Sequence, residues 1–325
     1  MGWSARYNRK RMKAWVAFVA VGVFAVAPFA VGQKPDPSAQ PAPQSDEPTR
    51  ITVDVTRVNF LYTVKDKKAR FVTGLTKDDF EVIENTRPQT VLEFAAESDL
   101  PLRLAVLIDT SGSVRERFRF EQDAASEFIN TVMHPLVDKA LVVSFDTEAE
   151  LRSELVNDPE TANAAIRGLR AGGGTAMYDA IYFACRDKLS QDQPMHKFRR
   201  AMVIVSDGDD NYSHYSRDQA LERALKDEVV IYAISTNISR QETDGDKVLK
   251  YFTKETGGRA FFPFKVEDME ASFVDIANEL RHQFNLSYRP EPLATDGRFH
   301  PVELRVKGRK DLVVLARPGY YAPKM

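Results

Sequence analysis

The chain has 325 residues, 43% hydrophobic and 28% charged, with 16 Gly, 17 Pro and a single Cys. It is long enough for two ordinary domains and too apolar for a disordered protein, and one Cys excludes a disulfide within the chain. The formal charge is −2, but the first 32 residues hold five bases and no acid, which leaves −7 on the rest and argues against a binder of nucleic-acid phosphates.

In chain order, the basic cluster Arg6 to Lys13 is followed by small and apolar residues from Ala14 to Val31, the layout of an export signal. Ala30-Val31-Gly32 offers small residues for a cut before Gln33, yet the apolar run is long enough to stay as an anchor. Residues 1–32 are therefore expected to be a signal peptide or signal anchor, with membrane contact only through an uncleaved segment. The remainder is expected to be secreted, periplasmic or in the cell envelope. Five prolines between Lys34 and Pro48 mark residues 33–50 as a solvated linker.

Residues 51–97 alternate like strands. Ile51 to Val55 and Val58 to Val64 predict one long strand with a bulge near Thr56-Arg57, with further strands at Ala69–Val72, Phe80–Glu84 and Thr90–Phe94. From Leu102 the pattern changes to short continuous apolar runs, at 104–108, 140–145, 201–205, 229–234 and 259–262. Helical spacing lies between them at 118–133, 158–169, 176–189, 217–226 and 246–256, and a last helix is expected at 269–284. That alternation predicts a doubly wound α/β domain over residues 101–283 with a mostly parallel, Rossmann-like sheet. Cys185, one turn from Ile181, fits a buried small residue. Residues 284–325 hold strand patterns at 285–289, 301–307 and 312–316, the last two expected to join across Gly308-Arg309-Lys310. Too few to be stable alone, they are expected to pack with the 51–97 strands as a small β-sandwich.

Three segments stand out, each read as beginning where a predicted strand ends: Asp109-Thr110-Ser111-Gly112-Ser113, Gly172-Gly173-Gly174-Thr175 and Ser206-Asp207-Gly208-Asp209-Asp210. In an open α/β sheet, loops beyond the carboxyl ends of strands converge where strand order reverses. Converging hydroxyl and carboxylate oxygens suit a hard cation, Mg²⁺ first, or Mn²⁺ or Ca²⁺. Ser111, Ser113 and Thr175 as neutral ligands, with Asp109 and Asp207 partly through water, would leave an open vertex on an electron-poor ion, for which an external carboxylate is the natural partner. Asp209 and Asp210 read as solvated, Asp146 as a turn residue, and the Asp109 loop as facing solvent.

These residues resemble the von Willebrand factor A domain, whose metal-ion-dependent adhesion site has the pattern Asp-x-Ser-x-Ser, then Thr, then Asp. The match falls on Asp109, Ser111, Ser113, Thr175 and Asp207, and the resemblance covers about 101–283. The exported layout, with Gly74-Leu75-Thr76-Lys77-Asp78-Asp79-Phe80 before the domain and Arg317-Pro318-Gly319-Tyr320-Tyr321 after it, looks like bacterial secreted proteins related to that factor. The resemblance implies metal-assisted protein interaction or adhesion to a partner supplying an Asp or Glu carboxylate, with no catalytic residue. The alternatives are a metal-dependent hydrolase and a purely structural envelope component.

Overall fold

Strand β1 (Val58–Asp66) buries Val58, Phe60, Tyr62 and Val64 on one face, the period-two pattern of a sheet side turned to a core. The computed structural model describes residues 57–96, 100–237, 239, 241–265 and 267–324, all within the unit Val53–Met325. The export segment, the linker and the strand expected at 51–55 lie outside the described residues.

After β1 the segment Ala69–Val72, expected as a strand, contributes only the bridge from Phe71 to Lys65, because Ala69 at φ 59° breaks the extended run. β2 (Phe80–Glu84) and β3 (Arg87–Gln89) then form a tight hairpin through Asn85 and Thr86, at φ 50° and 65°. Pro88 obscured β3 in the sequence. It is tolerated because β3 is the edge of its sheet. β4 (Val91–Ala95) leads to β5 (Leu102–Asp109), in which all eight residues are buried.

From β5 the chain continues through α1 (Phe118–Val132), β6 (Lys139–Phe145), β7 (Ala149–Val156), α2 (Pro159–Arg167), α3 (Met177–Phe183), β8 (Arg199–Ser206), α4 (Arg217–Lys226), β9 (Val229–Ser235), α5 (Asp244–Thr256), β10 (Ala260–Phe261) and α6 (Glu267–Arg281). The sheet runs β10-β9-β8-β5-β6-β7, parallel except for the antiparallel edge strand β7. α1, α2 and α6 cover the face of Val106 and Ile108, and α3, α4 and α5 cover the face of Ala105 and Leu107. Two covered faces explain the continuous apolar runs. The helix expected through Leu189 changes character: α3 passes into a π turn at Ala184–Lys188 that buries Cys185.

β11 (Phe284–Tyr288), β12 (Phe299–Val306), β13 (Leu312–Leu315) and β14 (Gly319–Tyr321) close the chain. They combine with the early strands as two four-stranded sheets, β13-β1-β11-β4 and β14-β12-β2-β3, around Phe60, Tyr62, Phe80, Phe284 and Leu286. The flanking sandwich is thus built from both ends of the chain. The hairpin expected across Gly308-Arg309-Lys310 does not form. β12 pairs with β2 and β14, β13 pairs with β1, and the Gly308 turn carries the chain from one sheet to the other.

The sandwich meets the amino ends of the parallel strands, where Asn59, Leu61, Arg317, Phe198 and Val229 share one cleft. Lys65 donates to Glu279 of α6 at 2.6 Å, and the Nε of Arg259 lies 2.9 Å from the same carboxylate oxygen. Arg317 donates to the carbonyls of Leu225 and Asn59 and lies over the Phe60 ring. Among the described residues no helix is long and apolar enough to cross a membrane.

Candidate metal centre

β5 and β8 are parallel neighbours in register from Leu102 with Arg199 to Ile108 with Val205. The chain leaves β5 for β6 on one side and returns to β8 on the other, so the reversal of strand order lies between β5 and β8. Their carboxyl ends are Asp109 and Ser206. Asp109 is fully buried: Oδ1 accepts from the Ser111 N–H at 2.8 Å and Oδ2 from the Ser206 hydroxyl at 2.6 Å. The loop therefore does not face solvent at Asp109, Thr110 or Ser111, and exposure begins at Gly112 and Ser113.

Above this buried carboxylate, the Ser111 and Ser113 hydroxyl oxygens lie 3.0 Å apart, and Ser113 donates to Asp207 Oδ2 at 2.9 Å. The glycine-rich loop is tied to the first loop twice, by Gly172 N–H to the Thr110 carbonyl at 2.6 Å and Gly112 N–H to the Gly173 carbonyl at 3.2 Å. Thr175 is fixed from the third loop: its N–H donates to Asn211 Oδ1 at 3.0 Å, and its carbonyl accepts from the N–H groups of Asn211 and Tyr212. So Asp109, Ser111, Ser113 and Asp207 form one hydrogen-bonded string. Thr175 stands on a loop braced against it, with no hydrogen bond from its hydroxyl to the other four among the described residues.

Neighbouring acids divide as follows. Asp209 is exposed, whereas Asp210 accepts from Tyr178 N–H and the Ser213 hydroxyl and so holds the start of α3 rather than standing solvated. Asp146 is a turn residue, its Oδ1 accepting from Glu148 N–H at 3.3 Å. Gly208 has φ 84°, and a Cβ there would meet the Gly245 carbonyl oxygen at 2.2 Å. The first turn of α5 therefore backs directly onto the Asp207 loop.

The charge on these groups is poorly compensated. Burial pushes the Asp109 carboxyl up to about 6 against the opposing hydrogen bonds from Ser206 and Ser111, and the charge of Asp207 adds to the rise. Glu121, on α1, is fully buried with neither carboxylate oxygen hydrogen-bonded. Burial pushes it up to about 8, Arg117 opposes that, and Asp109 and Asp207 reinforce it. Sequence reasoning missed Glu121. The available signal was its helical spacing with Ala124, Ala125, Phe128 and Val132, the buried face of α1. An all-oxygen donor set above a sealed, under-compensated carboxylate fits a hard divalent cation: Asp109 and Asp207 would supply charge, and Ser111, Ser113 and Thr175 neutral oxygens.

The sequence pattern of the von Willebrand factor type A domain matches residues 104–209, a span that contains all five residues. The chain carries a von Willebrand factor A domain. A von Willebrand factor type A from Catenulispora acidiphila shares this fold at 13% identity, over 84% of this chain and 75% of that one, with a TM-score of 0.50. BatB from Bacteroides thetaiotaomicron is also similar, at 16% identity over 55% of this chain and 98% of its own, with a TM-score of 0.44. Proximal thread matrix protein 1 of the mussel byssus, in a form with a zinc-occupied MIDAS motif, gives 16% identity and a TM-score of 0.48 over 58% of this chain and 47% of its own. The chain thus spans about half the length of the mussel protein. No curated protein matches the chain.

Proposed function

We propose that the protein is a non-enzymatic interaction protein that works outside the cytoplasm and captures an acidic side chain of a partner protein through a divalent cation. Asp109, Ser111, Ser113, Thr175 and Asp207 hold the ion, Mg²⁺ in the first place, with Mn²⁺ or Ca²⁺ as substitutes. The observation that carries this reading is the Ser111–Ser113–Asp207 string lying directly over the buried Asp109. Neutral hydroxyl ligands leave part of the ion's charge unspent, so an outside carboxylate is drawn to it. The basic and apolar leader at 1–32 supports export, cleaved or retained as an anchor.

Two variants separate metal loss from misfolding. Asp207→Ala removes a half-exposed ligand, and Asp109→Asn keeps the acceptor for the Ser111 N–H while removing the buried charge. Calorimetric titration with Mg²⁺ and Mn²⁺ should show one site in the parent and at least tenfold weaker binding in each variant, at unchanged circular dichroism. A chelator-controlled pull-down from the native envelope should recover the partner only when the divalent ion is present. Equal metal affinity in parent and both variants overturns the reading.

A further inference from the structure

Beside the metal centre, the first turns of α1 and the segment after α2 enclose a groove of about 570 Å³. Arg115, Arg119, Arg167 and Arg170 line it above Phe118 and Leu169, which are buried, and Asp123 is its one acid among the described residues. Arg167 is already paired with Glu160, and Arg170 leans on the Leu169 carbonyl at 2.9 Å. Arg115 and Arg119 are exposed and make no ion pair among the described residues. With Arg167 paired to Glu160, the like charges of Arg115, Arg119 and Arg170 face a single acid, Asp123, and repel each other, a concentration the more notable because the chain beyond residue 32 carries −7. An anion placed among them relieves that repulsion.

Both walls are extensions of the metal centre. Arg115 is the second residue after Ser113, and Arg170 and Ala171 lead straight into Gly172, whose N–H is bonded to the Thr110 carbonyl. We infer that the groove is the second half of the partner site: it receives an acidic polypeptide segment whose one carboxylate reaches the cation while neighbouring acidic side chains pair with Arg115, Arg119 and Arg170. This rests on the reading of the metal centre given above. The lining favours a peptide over a polyuronate. A sugar chain with a carboxylate on every unit would set one against Asp123, whereas a peptide can space its acids and lay apolar residues between them near Phe118 and Leu169.

The test uses the full chain and a fluorescent synthetic peptide in which one Asp is followed by Glu residues alternating with Gly and Leu, read by anisotropy in Mg²⁺. Substituting Arg115→Gln, Arg119→Gln and Arg170→Gln together touches exposed side chains only, so melting should be unchanged while peptide binding weakens roughly tenfold or more. Raising ionic strength should weaken the parent far more than this variant, and a Gln-for-Glu peptide should bind both alike. Mg²⁺-dependent peptide binding indifferent to the three arginines overturns the groove and leaves the metal reading standing. Arginine-dependent binding that is unaffected by chelator overturns the metal reading and supports the groove alone. Tighter arginine-dependent binding of polygalacturonate than of the peptide overturns the choice of partner.

Discussion

Glu121 has to enter the cation-free fold as a neutral acid. Its carboxyl rises from an ordinary 4.5 to about 8 on burial, so folding takes up a proton wherever the unfolded chain is already ionised. The stability it contributes is fully present below about 4.5 and is lost as pH rises towards about 8, by an amount on the order of a few kcal/mol. Asp109, raised to about 6, acts in the same direction over a lower window. In chelator, the melting temperature should therefore fall between about pH 5 and about pH 8, and Glu121→Gln should flatten most of that slope. Saturating Mg²⁺ should flatten it in the parent, since a nearby cation favours the ionised carboxylates; a parent slope identical with and without Mg²⁺ would separate Glu121 from the site. At this scale the spaced motif told which loops meet: Asp109, Ser111, Ser113 and Asp207 lie in one hydrogen-bonded string, and Thr175 stands on a loop braced against it. The sequence was silent on Glu121 and on the Asp210 cap, because their roles arise from what the fold packs around them. It misled on the exposure of Asp109, since a loop after a buried strand can keep its first residues inside.

Between elements, α5 meets the Asp207 loop glycine against glycine. A Cβ on Gly245 would meet the Asp207 carbonyl oxygen at 2.2 Å, and one on Gly208, at φ 84°, would meet the Gly245 carbonyl oxygen at 2.2 Å. Gly245→Ala must push α5 away from the Asp207 loop, with an expected loss of about 2 kcal/mol and weaker Mg²⁺ binding, checked by denaturant melts and metal titration. A variant as stable and as metal-competent as the parent would show that α5 does not set the loop. Strands buried on both faces were legible as continuous apolar runs, β5 and β8 above all. β3, β7 and β14 were not, for they are short or lie at sheet edges, where solvent on one side thins the apolar signal. The partner of β13 could not be read either: a turn such as Gly308 permits a hairpin, and only the sandwich core around Tyr62 and Phe284 selects the crossing between sheets.

On the scale of the whole molecule, the sandwich and the A domain are joined by buried charge as well as apolar surface. Glu279 is 1% exposed and faces Lys65 and Arg259 together. Glu279→Ala leaves the buried Lys65 without its anion, while Arg259 keeps Asp275 at 3.2 Å, and should cost about 3 kcal/mol; calorimetry on the parent should show a single transition for both parts. Two separate transitions in the parent would mean that this junction does not couple them. The positions of the two ends have a mechanical meaning. The Asp109 and Asp207 loops cap the carboxyl ends of the parallel strands and the sandwich sits at their amino ends, roughly 25 Å away along the eight residues of β5. A load applied between the Asp109 loop and the sandwich would run lengthwise along β5, which is flanked by β6 and β8. The ladders on both sides resist it in shear, all rungs at once, instead of parting one rung at a time.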